Sequence, residues 1–152
     1  MPKASFRVRT TINAEPEIIF GYVADLTQHD QWAANQLRIE PVSPGPAAVG
    51  SRYRSTAQVN GITFTAELQV TNYQPPREFT FAGKDETGRF EHRFTIQPCA
   101  QGAQVERQVS FTLTLRQWLM FLLLLYPVRL PAAKKALDLL KRRVEQRDDS
   151  RS

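Results

Sequence analysis

Between Arg52 and Leu115 the chain repeats one pattern, short runs in which apolar and polar residues alternate. A period of two puts the apolar side chains on one face of a strand. SRYRSTAQV and ITFTAELQVTNY flank Asn60-Gly61. Asn-Gly between alternating runs predicts a hairpin with a type I′ turn. In the second run Ile62, Phe64, Ala66, Leu68 and Val70 share a face, and Pro75-Pro76 ends it. REFTFAG is a further strand with Phe79 and Phe81. RFEHRFTIQP places Phe90, His92, Phe94 and Ile96 inward. After a turn at Gln101-Gly102, QVERQVSFTLTLR does the same with Val105, Arg107, Val109, Phe111, Leu113 and Leu115. Near the start, Phe6, Val8, Thr10 and Ile12 form another such face. Strands joined this way make an antiparallel sheet, and its apolar face needs a cover.

Helical spacing is confined to the two ends of the chain. Ile18, Ile19, Tyr22, Val23 and Leu26 recur at that spacing. Asn13 is a candidate N-cap, Pro16 and Glu17 suit a first turn, and the helix is predicted over 15–24. DLTQHDQW predicts a second, shorter helix capped by Asp25 or Thr27. QLRIEPVSPGPAAVG holds a short strand and a turn-rich loop. In LPAAKKALDLLKRRVEQR, Pro131 suits the first turn, and Ala133, Ala136, Leu137, Leu140 and Val144 form an apolar stripe. This is the only long amphipathic cover for the sheet. The fold class is therefore α+β. A chain of 152 residues fits one domain, here 1–147, with DDSRS (148–152) as a disordered tail.

Composition narrows the function classes. Cys99 is the only cysteine, so an internal disulfide and a cysteine-based metal site are excluded. Its isolation favours a reducing, cytoplasmic setting. The N-terminus has no apolar core of a secretory signal. No stretch approaches the ~20 apolar residues of a membrane span. The net charge of +5 collects near the C-terminus, from Arg129 through Arg147. Such a face is either solvated or meets anionic lipid or nucleic acid. Asp138, Glu145, Asp148 and Asp149 dilute it, and no nucleic-acid-binding motif is present.

The segment TTINAEPEIIFGYVADLTQHDQW resembles the opening of the START/Bet v 1-like superfamily, in particular its bacterial polyketide cyclase/dehydrase-like branch. Ala14, Pro16, Glu17, Phe20, Asp25 and Trp32 match that pattern. Gly50, Tyr53, VTNYQPPREFTF and the closing LKRRVE extend the match over nearly the whole chain. The resemblance implies a helix-grip fold, a curved antiparallel sheet of roughly seven strands around a long C-terminal helix. It also implies a cavity for a hydrophobic small molecule such as a lipid, quinone or polyketide-like compound. No cofactor is expected. Known members include lipid carriers, aromatic polyketide cyclases, hormone receptors and coenzyme Q-binding proteins, so the fold does not choose among functions. Two features depart from the family. WLMFLLLLYPVRLP is unusually apolar where the last strand passes into the last helix. No obvious catalytic pair is present.

Polar residues on an inward face need partners. His92 and Arg107 are therefore the candidate polar ligand contacts, and Arg107 suits a carboxylate or carbonyl. The competing reading puts each at a strand end or beside an internal carboxylate. Tyr53 either reaches a ligand or packs in the core with its hydroxyl satisfied. Phe64, Phe81, Phe94, Phe111, Trp118 and Leu137 complete the expected lining. Trp32 reads as structural or as a rim of the cavity, and Asp25 as a cap. His29 reads as part of a surface helix beside Asp30. With His92 it makes a poor case for a metal site. For chemistry, His92 is the weak candidate general acid–base in a cyclase/dehydratase-like enzyme.

Trp118–Tyr126 is apolar without a break. A helix apolar all round is buried or touches lipid or a partner. The run reads as core filling, as a wall of the cavity, or as a peripheral membrane or homodimer contact flanked by Arg129, Lys134 and Lys135. The leading expectation is a binding protein for a hydrophobic small molecule. A cyclase/dehydratase-like enzyme and a membrane-surface or interaction module are the rivals.

Overall fold

A computed structural model describes residues 3–33, 36–59, 61–85, 88–120, 123 and 126–149. Strand β1 (Lys3–Ile12) leads to α1 (Pro16–Ala24) and a 3₁₀ helix (Leu26–Gln31). Six strands follow: β2 (Gln36–Pro41), β3 (Arg52–Val59), β4 (Ile62–Gln74), β5 (Glu78–Asp85), β6 (Gly88–Cys99) and β7 (Gly102–Thr112). Helices α2 (Leu115–Met120) and α3 (Tyr126–Asp149) close the described chain. The seven strands form one sheet in the order β1-β7-β6-β5-β4-β3-β2, and every pair is antiparallel. Helix α3 packs against β1, which brings the two ends of the chain together. This is the α+β helix-grip arrangement.

Period-two runs bury what they should. Ala66, Leu68 and Val70 of β4 and Phe94 and Ile96 of β6 are core residues. So are Val105, Val109 and Phe111 of β7. The stripe of α3 is also buried: Ala133, Ala136, Leu137, Leu140 and Val144.

The departures lie at element ends, where local periodicity stops carrying information. Helix α1 has Glu15 at its N-cap position, with Pro16 in the first turn. Asn13 is not the cap; its backbone N–H donates to Glu145 Oε1 at 3.0 Å. Helix α3 starts at Tyr126, so Pro131 lies inside it rather than in its first turn. The helix also runs to Asp149, past the boundary expected at 147. Ile62, at the tip end of β4, is exposed, and Phe64 is half-buried, because the hairpin extends beyond the core. Leu115 opens α2 and is exposed instead of continuing the inward face of β7. Asn60 of the expected type I′ turn lies outside the described residues.

The basic face of α3 is not simply solvated. β1 is an edge strand, and an edge presents unpaired backbone groups. Lys134 Nζ donates to the Arg9 carbonyl at 2.9 Å and Lys141 Nζ to the Thr11 carbonyl at 2.8 Å. Lys141 also pairs with Glu145 at 2.6 Å. Two lysines on one helix face thus satisfy two carbonyls of that edge and hold the helix to the sheet. Gly102 makes a second close approach there. A Cβ on it would strike the Ile12 carbonyl oxygen, and its φ is +127°.

Candidate functional site

A cavity of about 200 Å³ lies between the sheet and α3. Its floor comes from strands β1, β6 and β7, through Phe6, His92, Arg107, Val109 and Phe111. One wall is the 3₁₀ helix and the residues just after it, with His29, Trp32 and Ala33. The opposite wall is α3, and its contribution is Ala132, Ala133 and Ala136. Leu37 and Ala57 close the side toward β2 and β3. The cavity exists because alanine stands wherever a larger apolar residue would have filled the gap between helix and sheet.

Arg107 sits mid-strand, opposite Val8 of β1 and Phe94 of β6. That register removes the strand-end reading. Its guanidinium stacks over the Phe94 ring at 5.4 Å from the centroid. Arg107 Nη2 donates to His92 Nδ1 at 2.9 Å, since a guanidinium carries only donors. Burial lowers the Arg107 pKa to about 10, so it stays cationic at neutral pH. Among the described residues no carboxylate pairs with it, which removes the internal-carboxylate reading. Arg107 Nε is buried without a hydrogen-bond partner among the described residues.

His92 stacks on Phe81, with centroids 4.9 Å apart and planes 14° apart. Phe90 meets its edge at 5.5 Å. Its Nδ1 is already occupied as an acceptor from Arg107, so that nitrogen cannot take a proton without breaking the pair.

His29 is the main residue the sequence reading misplaced. It is 4% exposed, not on the surface. Its ring lies 4.3 Å from Trp32 and meets Phe81 and Phe94 edge-on at 5.9 and 6.1 Å. Nε2 is 2.8 Å from the Val23 carbonyl; a carbonyl only accepts, so this nitrogen carries the proton. Burial pushes the His29 pKa down to about 3, against the Val23 hydrogen bond and with the help of the Arg107 charge. The ring is therefore neutral. The missed signal is a period of three. In a 3₁₀ turn residues i and i+3 eclipse, and Leu26, His29 and Trp32, so spaced, are all buried. Trp32 takes both roles considered for it, packing on Phe94 at 6.0 Å and lining the cavity. Its indole Nε1 is buried without a partner among the described residues.

Of the expected lining, the structure brings His92, Arg107 and Phe111 to this cavity. Phe81 and Phe94 lie directly behind it as ring partners of His92 and Arg107. Leu137 is fully buried core, Trp118 packs on the core from α2, and Phe64 sits opposite Ala57 at the open end of the sheet. None of these three is among the described lining residues.

Tyr53 lines a separate cavity of about 350 Å³, with Phe20, Asp25, Thr27 and Tyr73. Burial, then Asp25 and Tyr73, raise its pKa. Asp25 is the cap of the 3₁₀ helix, accepting from the Thr27 backbone N–H at 3.1 Å. Burial pushes its carboxyl up, but hydrogen bonds from Thr27 and Gln28 outweigh this and hold it below its ordinary value.

The sequence matches the family described as "Polyketide cyclase / dehydrase and lipid transport" over residues 3–145. The chain belongs to that family. Three solved structures show how far the fold is shared. A protein from Thermus thermophilus is 19% identical, with a TM-score of 0.71 over 94% of this chain and 97% of that one. A protein from Chromobacterium violaceum is 16% identical, with a TM-score of 0.69 over 93% and 97%. Ara h 8.0201 is 14% identical, with a TM-score of 0.67 over 94% and 98%. At these identities the likeness establishes the helix-grip fold and nothing finer. No curated protein matches the sequence.

Proposed function

We propose that this chain binds a hydrophobic small molecule, with one polar end, in the cavity between sheet and α3. The observation that carries the reading is the cavity itself, walled by alanines on α3 and holding Arg107 among aromatic rings. Burial of apolar ligand surface supplies the affinity, at about 25 cal/mol per Å². Arg107 and His92 orient the polar end, while Tyr53 belongs to the neighbouring cavity and takes no part. An engineered apolar cavity of about 150 Å³ takes one benzene. A cavity of 200 Å³ suits a ligand portion the size of one or two fused rings.

Native mass spectrometry of fresh protein, followed by extraction of what it retains, tests this. A stoichiometric apolar compound on the wild type, absent from Ala136→Phe, is the expected result. Retention unchanged by Ala136→Phe would place the ligand elsewhere. The enzyme reading, with His92 as general acid–base, has less support because His92 Nδ1 is held by Arg107.

A second reading rests on a different surface. Leu115, Leu119 and Leu123, at successive steps of four, are 67%, 51% and 73% exposed. Among the described residues no helix is long and apolar enough to cross a membrane. A stripe of this kind suits contact with a membrane surface. Co-sedimentation of wild type but not Leu119→Asp with anionic vesicles at low salt would support it, and no pull-down of either would end it. Phe121, Leu122, Leu124 and Leu125 of the same apolar run lie outside the described residues.

A further inference from the structure

The polar groups of the cavity are unbalanced in one direction. Arg107 is cationic, and among the described lining residues there is no acidic side chain. Among the described residues its Nε–H is buried without an acceptor, and so is the Nε1–H of Trp32, which lines the same cavity. A buried donor left unpaired is destabilising, and a buried charge without a counter-charge more so. Natural cores rarely keep such groups, and each one calls for a reason. Both belong to residues that line one cavity, and both lack the same thing, an oxygen acceptor.

The other polar groups do not supply it. His92 Nδ1 takes one guanidinium N–H, from Nη2, and leaves Nε alone. His29 spends its ring N–H on the Val23 carbonyl and is held uncharged, so it adds no second cation. The guanidinium carbon lies over the Phe94 ring, 5.4 Å from its centroid, within cation–π range. A guanidinium that keeps an N–H without an acceptor after its bond to His92 is suited to a carboxylate.

We propose that the ligand of this cavity is a small aromatic acid, whose carboxylate is bound by Arg107, with the Trp32 indole N–H donating to an oxygen of the same ligand. This rests on the cavity-binding reading above and narrows it from any apolar compound with a polar end to an anion. The carboxylate supplies both the missing counter-charge and the missing acceptors. The rings behind Arg107 and the alanines of α3 receive the apolar body.

The test compares two probes of nearly equal shape, naphthoate and acetonaphthone, by titration calorimetry at pH 7 on wild type, Arg107→Met and Ala136→Phe. The acid is anionic and the ketone neutral. Naphthoate should bind wild type at least about tenfold tighter than the ketone, since a hydrogen bond to a charged group is worth that factor or more. Arg107→Met should erase the preference while the ketone still binds, and Ala136→Phe should exclude both. Equal binding of the two probes to wild type overturns the anion inference and leaves the cavity reading standing. Binding of neither to wild type overturns both. The wild-type comparison is decisive by itself if Arg107→Met does not fold.

Discussion

Acid should unfold this protein through His29, and the size of the effect follows from its surroundings. The ring is buried against Trp32, Phe81 and Phe94, and its pKa falls from the ordinary 6.5 to about 3. In the unfolded chain the imidazole regains its ordinary value. Below pH 6.5 the unfolded state therefore binds a proton that the folded state does not. Stability is whole above that pH and is lost progressively as pH falls toward 3. Each unit is about 1.4 kcal/mol, so the step from pH 7 to pH 5 removes about 2 kcal/mol. Urea unfolding followed by circular dichroism at pH 7, 6 and 5 measures it. Carboxylates add their own pH dependence, so the comparison is with His29→Gln, which does not titrate and keeps an amide donor within the same turn. The variant starts less stable at pH 7, because it loses ring packing, but its pH slope should be shallower by that amount, about 2 kcal/mol over the same range. Parallel curves for the two proteins would mean that burial of His29 does not drive the acid sensitivity, and so would an imidazole NMR titration placing the His29 midpoint near 6.

Other perturbations follow from the same contacts. Gly102→Ala should lower stability by about 2–4 kcal/mol in denaturant unfolding, because its Cβ would strike the Ile12 carbonyl and its φ of +127° disfavours any side chain. Lys141→Met should cost about 1 kcal/mol, read from the denaturation midpoint, by freeing the Thr11 carbonyl and the Glu145 carboxylate. Ala136→Phe should abolish ligand retention while changing stability by no more than the ~1–3 kcal/mol of an overpacked core, which thermal unfolding checks.

Some of the site was legible in the residues and some was not. Period two set the inward face of β6 and β7, and so placed His92 and Arg107 on the covered side of the sheet. Period two leaves open whether Tyr53 shares their cavity. Tyr53 faces inward on β3, yet between β3 and β6 lie two further strands, and the curved sheet offers it to a different cavity. His29 was hidden because its period of three spans only Leu26, His29 and Trp32, too few positions to stand out, and because its flanking Gln28, Asp30 and Gln31 suggest a wet surface. The alanines of α3 read as ordinary core spacing; nothing in the helix alone says that what they face is empty.

Strand, helix and facing are local properties, written in the spacing of neighbouring side chains. They follow from the chain in order, which is why the sheet, its cover and the hairpin ladder are legible in the amino-acid sequence alone. A cavity is not local. It is the volume left over when two surfaces, distant in the chain, settle at a separation set by their largest contacts. Here Leu137, Leu140 and Val144 hold α3 on the sheet, and the small residues beside them fail to reach it. Burial of His29 and the isolation of the Arg107 charge arise in the same way, from which groups happen to meet across that gap. The pairing of a lone cation with an unfilled space is a consequence of packing.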